Sequence, residues 1–286
     1  MKELVSFLIL HYNTIFDTIG CIESIKKNML YDNYIIVVVD NGSTNQSGMA
    51  LEEKYYGKKK IIILKSDKNL GFAKGNNYGF NYIKKNTNSK FIIMLNNDTI
   101  ITQKNFITVI EKIYNEEKFA ILGPKIISLV DRSNQNPVKV QFDDRKEVFK
   151  AMFKYLFLYL FNLVGIEDFI RFLKDKINKT NLEKPIKEAN KRYQLHGSCL
   201  IFSQDYLQKH DGLYDKTFLY AEEDILSFIC KRDNLTQKYD ERIFIYHKED
   251  SATNYTFKTT KKKRRFIYKH TAYSLYQLYQ LMKKKE

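Results

Sequence analysis

Cysteine is scarce in this chain: Cys21, Cys199 and Cys230 are odd in number, far apart and without CxxC spacing. That argues against a disulfide framework and a zinc site, and fits a reducing cytoplasm. Long apolar runs are lacking too. Leu4–Leu10 is broken by Ser6 and followed by His11-Tyr12-Asn13; it is too short for a signal-peptide core and reads as a first buried strand. The aromatic stretch Ala151–Ile166 offers only twelve residues between Lys154 and Glu167, against about 20 needed to cross a bilayer. It reads as a buried helix or helical hairpin. The alternative is an interfacial helix, with Phe and Leu in the acyl boundary and Tyr at the headgroups. Two phosphate-binding signatures are also missing: no Gly-Lys-Ser/Thr completes a Walker loop, and no Gly-x-Gly-x-x-Gly follows the first strand. No internal repeat is found.

Acid is what the C-terminus lacks. The net charge is +15, and the 32 residues Tyr255–Glu286 hold ten cations and one anion, so +9 of it sits there. Such a balance suits nucleic acid, an anionic membrane or a phosphorylated substrate. The basic run Lys261–Arg265 has no accompanying nucleic-acid motif, which leaves the membrane surface as the expected partner and nucleic acid as the alternative. With 44% apolar and 14% aromatic residues in 286, the chain can bury a sizeable core.

The first half alternates strands and helices. Val5–Leu10, Tyr34–Val39, Ile61–Leu64 and Phe91–Leu95 read as strands. Thr14–Lys27, Ser47–Tyr55, Ala73–Lys85 and Lys104–Glu116 read as helices, the first with Ile15, Ile19, Ile22 and Ile25 at helical spacing. Continuous apolar strands alternating with helices predict a doubly wound, mostly parallel sheet with helices on both faces. Residues 131–190 interrupt the pattern. A strand Gln194–Phe202 restarts it, a helix Glu223–Arg232 and a strand-rich Gln237–His247 follow, and Arg264–Lys284 reads as an amphipathic helix. The expected organisation is a first α/β half over 1–130 and an aromatic helical insertion over 131–190. A second half over 191–254 and a basic helix over 255–286 complete it.

Ligands of an open parallel sheet bind outside the carboxyl ends of its strands. Asp40 stands there in Asp40-Asn41-Gly42-Ser43, which is also a good turn. Asp98 stands there in Asn96-Asn97-Asp98-Thr99, which is also a good helix-capping loop. Between them, Asn69-Leu70-Gly71, Lys74-Gly75-Asn76 and Gly79 place glycines near one helical face and a cation at a helix N-terminus, which favours an anion such as a diphosphate.

In order and spacing these motifs resemble the family-2 glycosyltransferases of GT-A fold, especially bacterial rhamnosyltransferase and capsule or O-antigen members. The likeness continues through His196-Gly197-Ser198, Gly212–Asp215, Phe218–Asp224 and His247…Ser251, covering about residues 3–250 apart from the insertion. It implies an inverting, metal-dependent transfer of a sugar from a nucleotide-diphosphate donor to a glycan hydroxyl. It implies Asn13, Asp40, Gly71, Lys74, Asn76, Asn96 and Asn97 at the donor, and His196, Gly197, Tyr220 and Glu222 at the acceptor. Asn96-Asn97-Asp98 occupies the place of the family's Asp-x-Asp motif, so Asp98, with His247, would hold Mg²⁺ or Mn²⁺.

The general base would come from Glu223 or Asp224; the acid that commonly follows one spacer residue later is replaced by Ile225. A UDP-sugar is the first expected donor and dTDP-rhamnose the second. The acceptor would be a growing, lipid-linked glycan at the inner face of the cell membrane, approached through the basic tail. The competing readings are a nucleotidyltransferase, which would want a Gly-rich basic loop where His11–Thr14 stand, and a catalytically inactive or basic binding module.

Overall fold

The computed structural model describes residues 2–142, 144–165, 193–249 and 260–283. The element order is β1 (Val5–His11), α1 (Ile15–Asn28), β2 (Tyr34–Asp40), α2 (Ser47–Tyr55), β3 (Ile61–Lys65), α3 (Phe72–Asn86), β4 (Phe91–Asn96), β5 (Thr99–Ile100), α4 (Phe106–Glu116), β6 (Ile121–Ser128), β7 (Val138–Lys139), α5 (Arg145–Leu163), β8 (Tyr193–Gln194), β9 (Cys199–Ser203), α6 (Gln204–Leu207), α7 (Glu222–Arg232), β10 (Gln237–His247) and α8 (Thr260–Lys283). Eight strands form one sheet in the order β3-β2-β1-β4-β9-β6-β10-β5. β9 runs antiparallel to β4 and β6, β5 runs antiparallel to β10, and the other pairings are parallel.

The central strands β1, β2, β4 and β9 are almost entirely apolar because both faces are covered. Phe7, Ile9, Ile36, Val38 and Ile93 pack with Ile22 of α1, Leu51 of α2 and Ile110 of α4. The alternate residues Leu8, Val37, Val39 and Met94 pack with Phe80 of α3 and Leu226 of α7. This is the period-2 division of a strand between two buried faces. Glycine lets α3 approach: a Cβ on Gly79 would lie 2.2 Å from Leu8 Cδ1, and one on Gly75 2.7 Å from Leu10 Cδ1.

One expectation is corrected: Gln194–Phe202 is not one strand. β8 pairs with β7 in a separate two-stranded sheet, and the chain breaks at His196-Gly197-Ser198 before β9. The reason is local: His196 N–H donates to Asn136 Oδ1 (3.0 Å), Gly197 N–H to Glu223 Oε1 (3.1 Å) and Ser198 N–H to His196 Nδ1 (3.1 Å). Side chains take the donors that a strand would give to its neighbour. β6 is an element that no periodicity announces, because Gly123-Pro124 lies inside it.

The aromatic segment is α5, and it lies along α8. Their shared cluster includes Val148, Leu275 and Leu278, with Ile225 and Ile229 of α7. The apolar face of α8 is therefore covered inside the fold, where Ser274 also donates to Leu219 O (3.0 Å). No helix among the described residues is long and apolar enough to cross a membrane.

Candidate active site

The carboxyl ends of β1 and β2 carry His11 and Asp40 side by side. Asp40 is buried, and its Oδ1 accepts Ser43 N–H (3.1 Å), closing the turn that the sequence suggested. Its other oxygen lies over the start of α2, where a Cβ on Gly48 would stand 1.8 Å away. His11 bridges Thr18 Oγ1 (2.7 Å) and Ser47 Oγ (2.8 Å). Burial lowers its pKa to about 4 against the opposing pull of Asp40, so it is a neutral crossbeam. Asn13, at φ 63°, clamps the two loops: its N–H donates to Ser43 Oγ (2.9 Å), its Oδ1 accepts Thr44 N–H (2.9 Å), and its carbonyl accepts from Asn45 Nδ2 (2.8 Å).

Asn41, which the sequence reading passed over, ties this corner to the glycine-bearing loop. Its Nδ2 donates to Asn69 Oδ1 and Gly71 O, and its Oδ1 accepts Leu70 N–H. Gly71 has φ +83°, and a Cβ there would lie 2.3 Å from Phe218 O, so only glycine lets the 218–224 segment close against the loop. The two α3 residues of the expected donor set differ in their surroundings. Asn76 is buried and donates to Phe72 O (3.0 Å). Lys74 is exposed and lines a groove of about 660 Å³ with Tyr78, Tyr214 and Arg232.

The other half of the site gathers at the end of β4. Asn96 N–H donates to Ser198 O (2.9 Å). Asn97 is turned away, its Nδ2 bonded to Thr14 Oγ1 (2.7 Å) and Thr18 Oγ1 (2.9 Å). Asp98 comes to His247 because β5 pairs with the end of β10, Thr99 opposite His247. Asp98 Oδ1 and His247 Nε2 stand 3.2 Å apart, both buried, yet neither makes a hydrogen bond. His247 Nδ1 contacts Gln135 Oε1 at 2.8 Å. An amide oxygen only accepts, so Nδ1 carries a proton, and in the neutral ring Nε2 presents a lone pair toward the carboxylate. Two acceptors facing each other in that state leave a place for a cation. The pair fits a hard divalent ion held by few protein atoms, with a diphosphate and water completing its shell. Among the described residues no group of three or more His, Cys, Asp and Glu could hold one alone.

His196 lies beside this pair, its ring 5.8 Å from that of His247. Its Nδ1 accepts Ser198 N–H, which puts the proton on Nε2, and burial holds its pKa below the usual histidine value. Glu223 Oε1 accepts Gly197 N–H, and a Cβ on Gly197 would lie 2.7 Å from that oxygen. Tyr220 and Ala221, both non-glycine residues at positive φ (73° and 60°), turn the chain into α7. Such a conformation costs about 1–2 kcal/mol per residue. That turn fixes which of the three acids points where. Glu223 faces Gly197, whereas Asp224 is buried and held by Gln194 and the backbone of Gln141, with its pKa raised to about 6 by burial.

Glu222 also has a buried, unbonded carboxyl oxygen, and burial reinforced by Glu223 raises its pKa to about 8. Between the usual carboxylate range and that value the folded protein holds a proton that the unfolded chain releases. Stability therefore falls as pH rises through the window. Glu222→Gln should melt higher than the parent at pH 8.5, by about 2–4 °C for each kcal/mol relieved, and equally at pH 4. Thermal melts at the two pH values check this, and an unchanged or lower melting point at pH 8.5 sinks it.

The profile described as Glycosyl transferase family 2 matches residues 6–182. A hexosyltransferase of low-salt glycan biosynthesis, Agl10 of Haloferax volcanii, is 24% identical over 199 residues, or 70% of this chain and 54% of its own. The chain thus spans about half the length of that relative. Among solved structures, S. aureus TarS residues 1–349 in complex with UDP shares the fold at TM-score 0.55 and 14% identity, over 89% of this chain and 62% of its own. The mannosyltransferase PcManGT from Pyrobaculum calidifontis, in complex with GDP-Man and Mn²⁺, does so at TM-score 0.53 and 12% identity, over 88% and 59%.

Proposed function

We propose, from the fact that this chain belongs to glycosyl transferase family 2, that it moves a sugar from a nucleoside diphosphate donor to a hydroxyl with inversion at the anomeric carbon. One observation carries the reading. The orphaned Asp98–His247 pair and the carboxylate of Glu223 converge on His196-Gly197 at one end of the sheet. Glu223 takes the proton of the acceptor hydroxyl. The acceptor oxygen bonds to the anomeric carbon, and the bond from that carbon to the diphosphate oxygen breaks, its electron pair leaving with the nucleoside diphosphate. Mg²⁺ or Mn²⁺ held by Asp98 and His247, when bound, would neutralise charge on the leaving diphosphate. His196, Gly197, Tyr220 and Glu222 form the acceptor side. Asp40 and Asn13, with the loop at Gly71, form the base and ribose side.

The donor we favour is a UDP-sugar, then dTDP-rhamnose; the fold neighbour bound to UDP is in line with the first of these. The acceptor we favour is a lipid-linked surface glycan of the capsule or O-antigen kind. The enzyme would then work at the inner face of the cell membrane, as its basic C-terminal segment suggests. A melting screen of UDP-, dTDP- and GDP-sugars with Mg²⁺ or Mn²⁺ tests the reading. A donor at 100 times its Kd adds about 2.7 kcal/mol, which is about 5 °C or more in Tm. No shift with any donor, together with pyrophosphate release from a nucleoside triphosphate and a sugar phosphate, would replace it with nucleotidyl transfer.

A further inference from the structure

One face of α5 is covered by α8 and α7, and among the described residues the opposite face is left largely open, only Phe149 at its start also touching Tyr279 of α8. Phe149, Phe153, Phe157 and Phe161 recur every four residues as a ladder, with ring centroids 4.6, 6.4 and 6.3 Å apart. They are 43%, 37%, 53% and 38% exposed. Leu156, Leu160, Leu163 and Val164 extend the same apolar surface. Fifteen residues of rise give a strip about 22 Å long, far more than a water-facing helix leaves uncovered.

Among the described residues the charge around the strip is mainly positive. Lys146, Lys150 and Lys154 also recur every four residues on α5, all exposed, and each can lay its methylenes along the strip with its ammonium at the edge. At the far end, Asn162 accepts from Arg265 Nε (2.9 Å), so the basic run Lys261–Arg265 of α8 begins where the ladder ends. α8 carries no acid, and Glu147 is the single one on α5.

We infer that this face of α5 is the surface on which the protein lies on an anionic bilayer, its phenylalanines at the acyl boundary and its lysines among the phosphates. The pattern is that of an interfacial helix, since the basic residues that frame the strip would repel a second copy of the same face. The inference deepens the reading of a lipid-linked acceptor and rests on it for its purpose. It also places the apolar contact on α5, leaving α8 to supply charge and the buried support.

The test is sedimentation of the full-length protein with vesicles of phosphatidylcholine and phosphatidylglycerol, and with phosphatidylcholine alone. Binding should require the anionic lipid and weaken with salt. Phe153→Asp with Phe157→Asp should weaken it by about tenfold or more per phenylalanine, while melting and the donor-induced shift stay as in the parent. The chain has no tryptophan, so Phe157→Trp supplies a second, conservative probe whose emission should move to the blue on anionic vesicles. Equal binding by the double variant, no spectral change, or a parent that is a dimer through this face in solution and ignores vesicles would each overturn the inference. Because vesicle binding and the donor-induced shift are read separately, absence of a donor shift in a protein that still binds anionic vesicles would fault the functional reading and leave this one standing.

Discussion

Glu223→Gln should lower the rate of sugar transfer by about a hundred- to ten-thousand-fold, the range for removing a general base, with donor binding unchanged. Gln keeps the oxygen that accepts Gly197 N–H, so the break between β8 and β9 and the start of α7 remain in place. What is lost is the basicity. Asp224→Asn should cost within about tenfold, because that carboxylate is buried against Gln194 and Gln141, away from Gly197. Gly197→Ala offers an independent route to the same loss: its Cβ would stand 2.7 Å from Glu223 Oε1 and would push the carboxylate from its place. Steady-state kinetics with a saturating donor separate these outcomes, since the predicted losses fall on kcat and spare donor KM. Equal losses at both acids, or none at either, would mean that the base lies elsewhere.

The order of the first four strands and the first four helices was legible because each strand is buried on both faces and each helix carries its apolar residues at one spacing. The polar residues that end β1, β2 and β4 stood out against those apolar runs, which is why Asp40 and Asp98 were found. Four things were not legible, each for a physical reason. β6 contains Gly123-Pro124, ordinarily a strand breaker; in the fold, Gly123 is needed because a Cβ would lie 2.7 Å from Asn136 and Leu195. His196-Gly197-Ser198 looked like strand because it precedes a run of apolar residues, and its backbone donors go to Asn136, Glu223 and His196 itself.

Among Glu222, Glu223 and Asp224, composition offers no distinction. Successive residues of a helix point about 100° apart, and the direction of the first is set by the two positive-φ residues before it. Gln135 was hidden for a different reason. It sits in a polar loop with no periodicity, and its function depends on a contact with His247, 112 residues later in the chain.

Asp98→Asn should trade catalysis for stability. In the parent, a carboxylate oxygen and the lone pair of His247 Nε2 face each other at 3.2 Å without a hydrogen bond. The substituted amide can turn its NH₂ toward that nitrogen and satisfy both buried atoms, a gain of about 1 kcal/mol that should raise the melting temperature of the metal-free protein. The same change removes the only carboxylate in Asn96-Asn97-Asp98. The extra stabilisation by Mn²⁺ with a donor should disappear, and turnover should fall by about a thousandfold, since the charge on the leaving diphosphate loses several kcal/mol of neutralisation. Gln135→Leu should behave differently. It leaves Asp98 charged but releases Nδ1 of His247, so the ring no longer holds one orientation, and Mn²⁺ affinity should fall about 10–100-fold. Mn²⁺ titration followed by electron paramagnetic resonance, alongside melts with and without metal, distinguishes the two. If Asp98→Asn melts below the parent and keeps its metal response, Asp98 and His247 are an ordinary buried pair, and the cation must be sought elsewhere in the site.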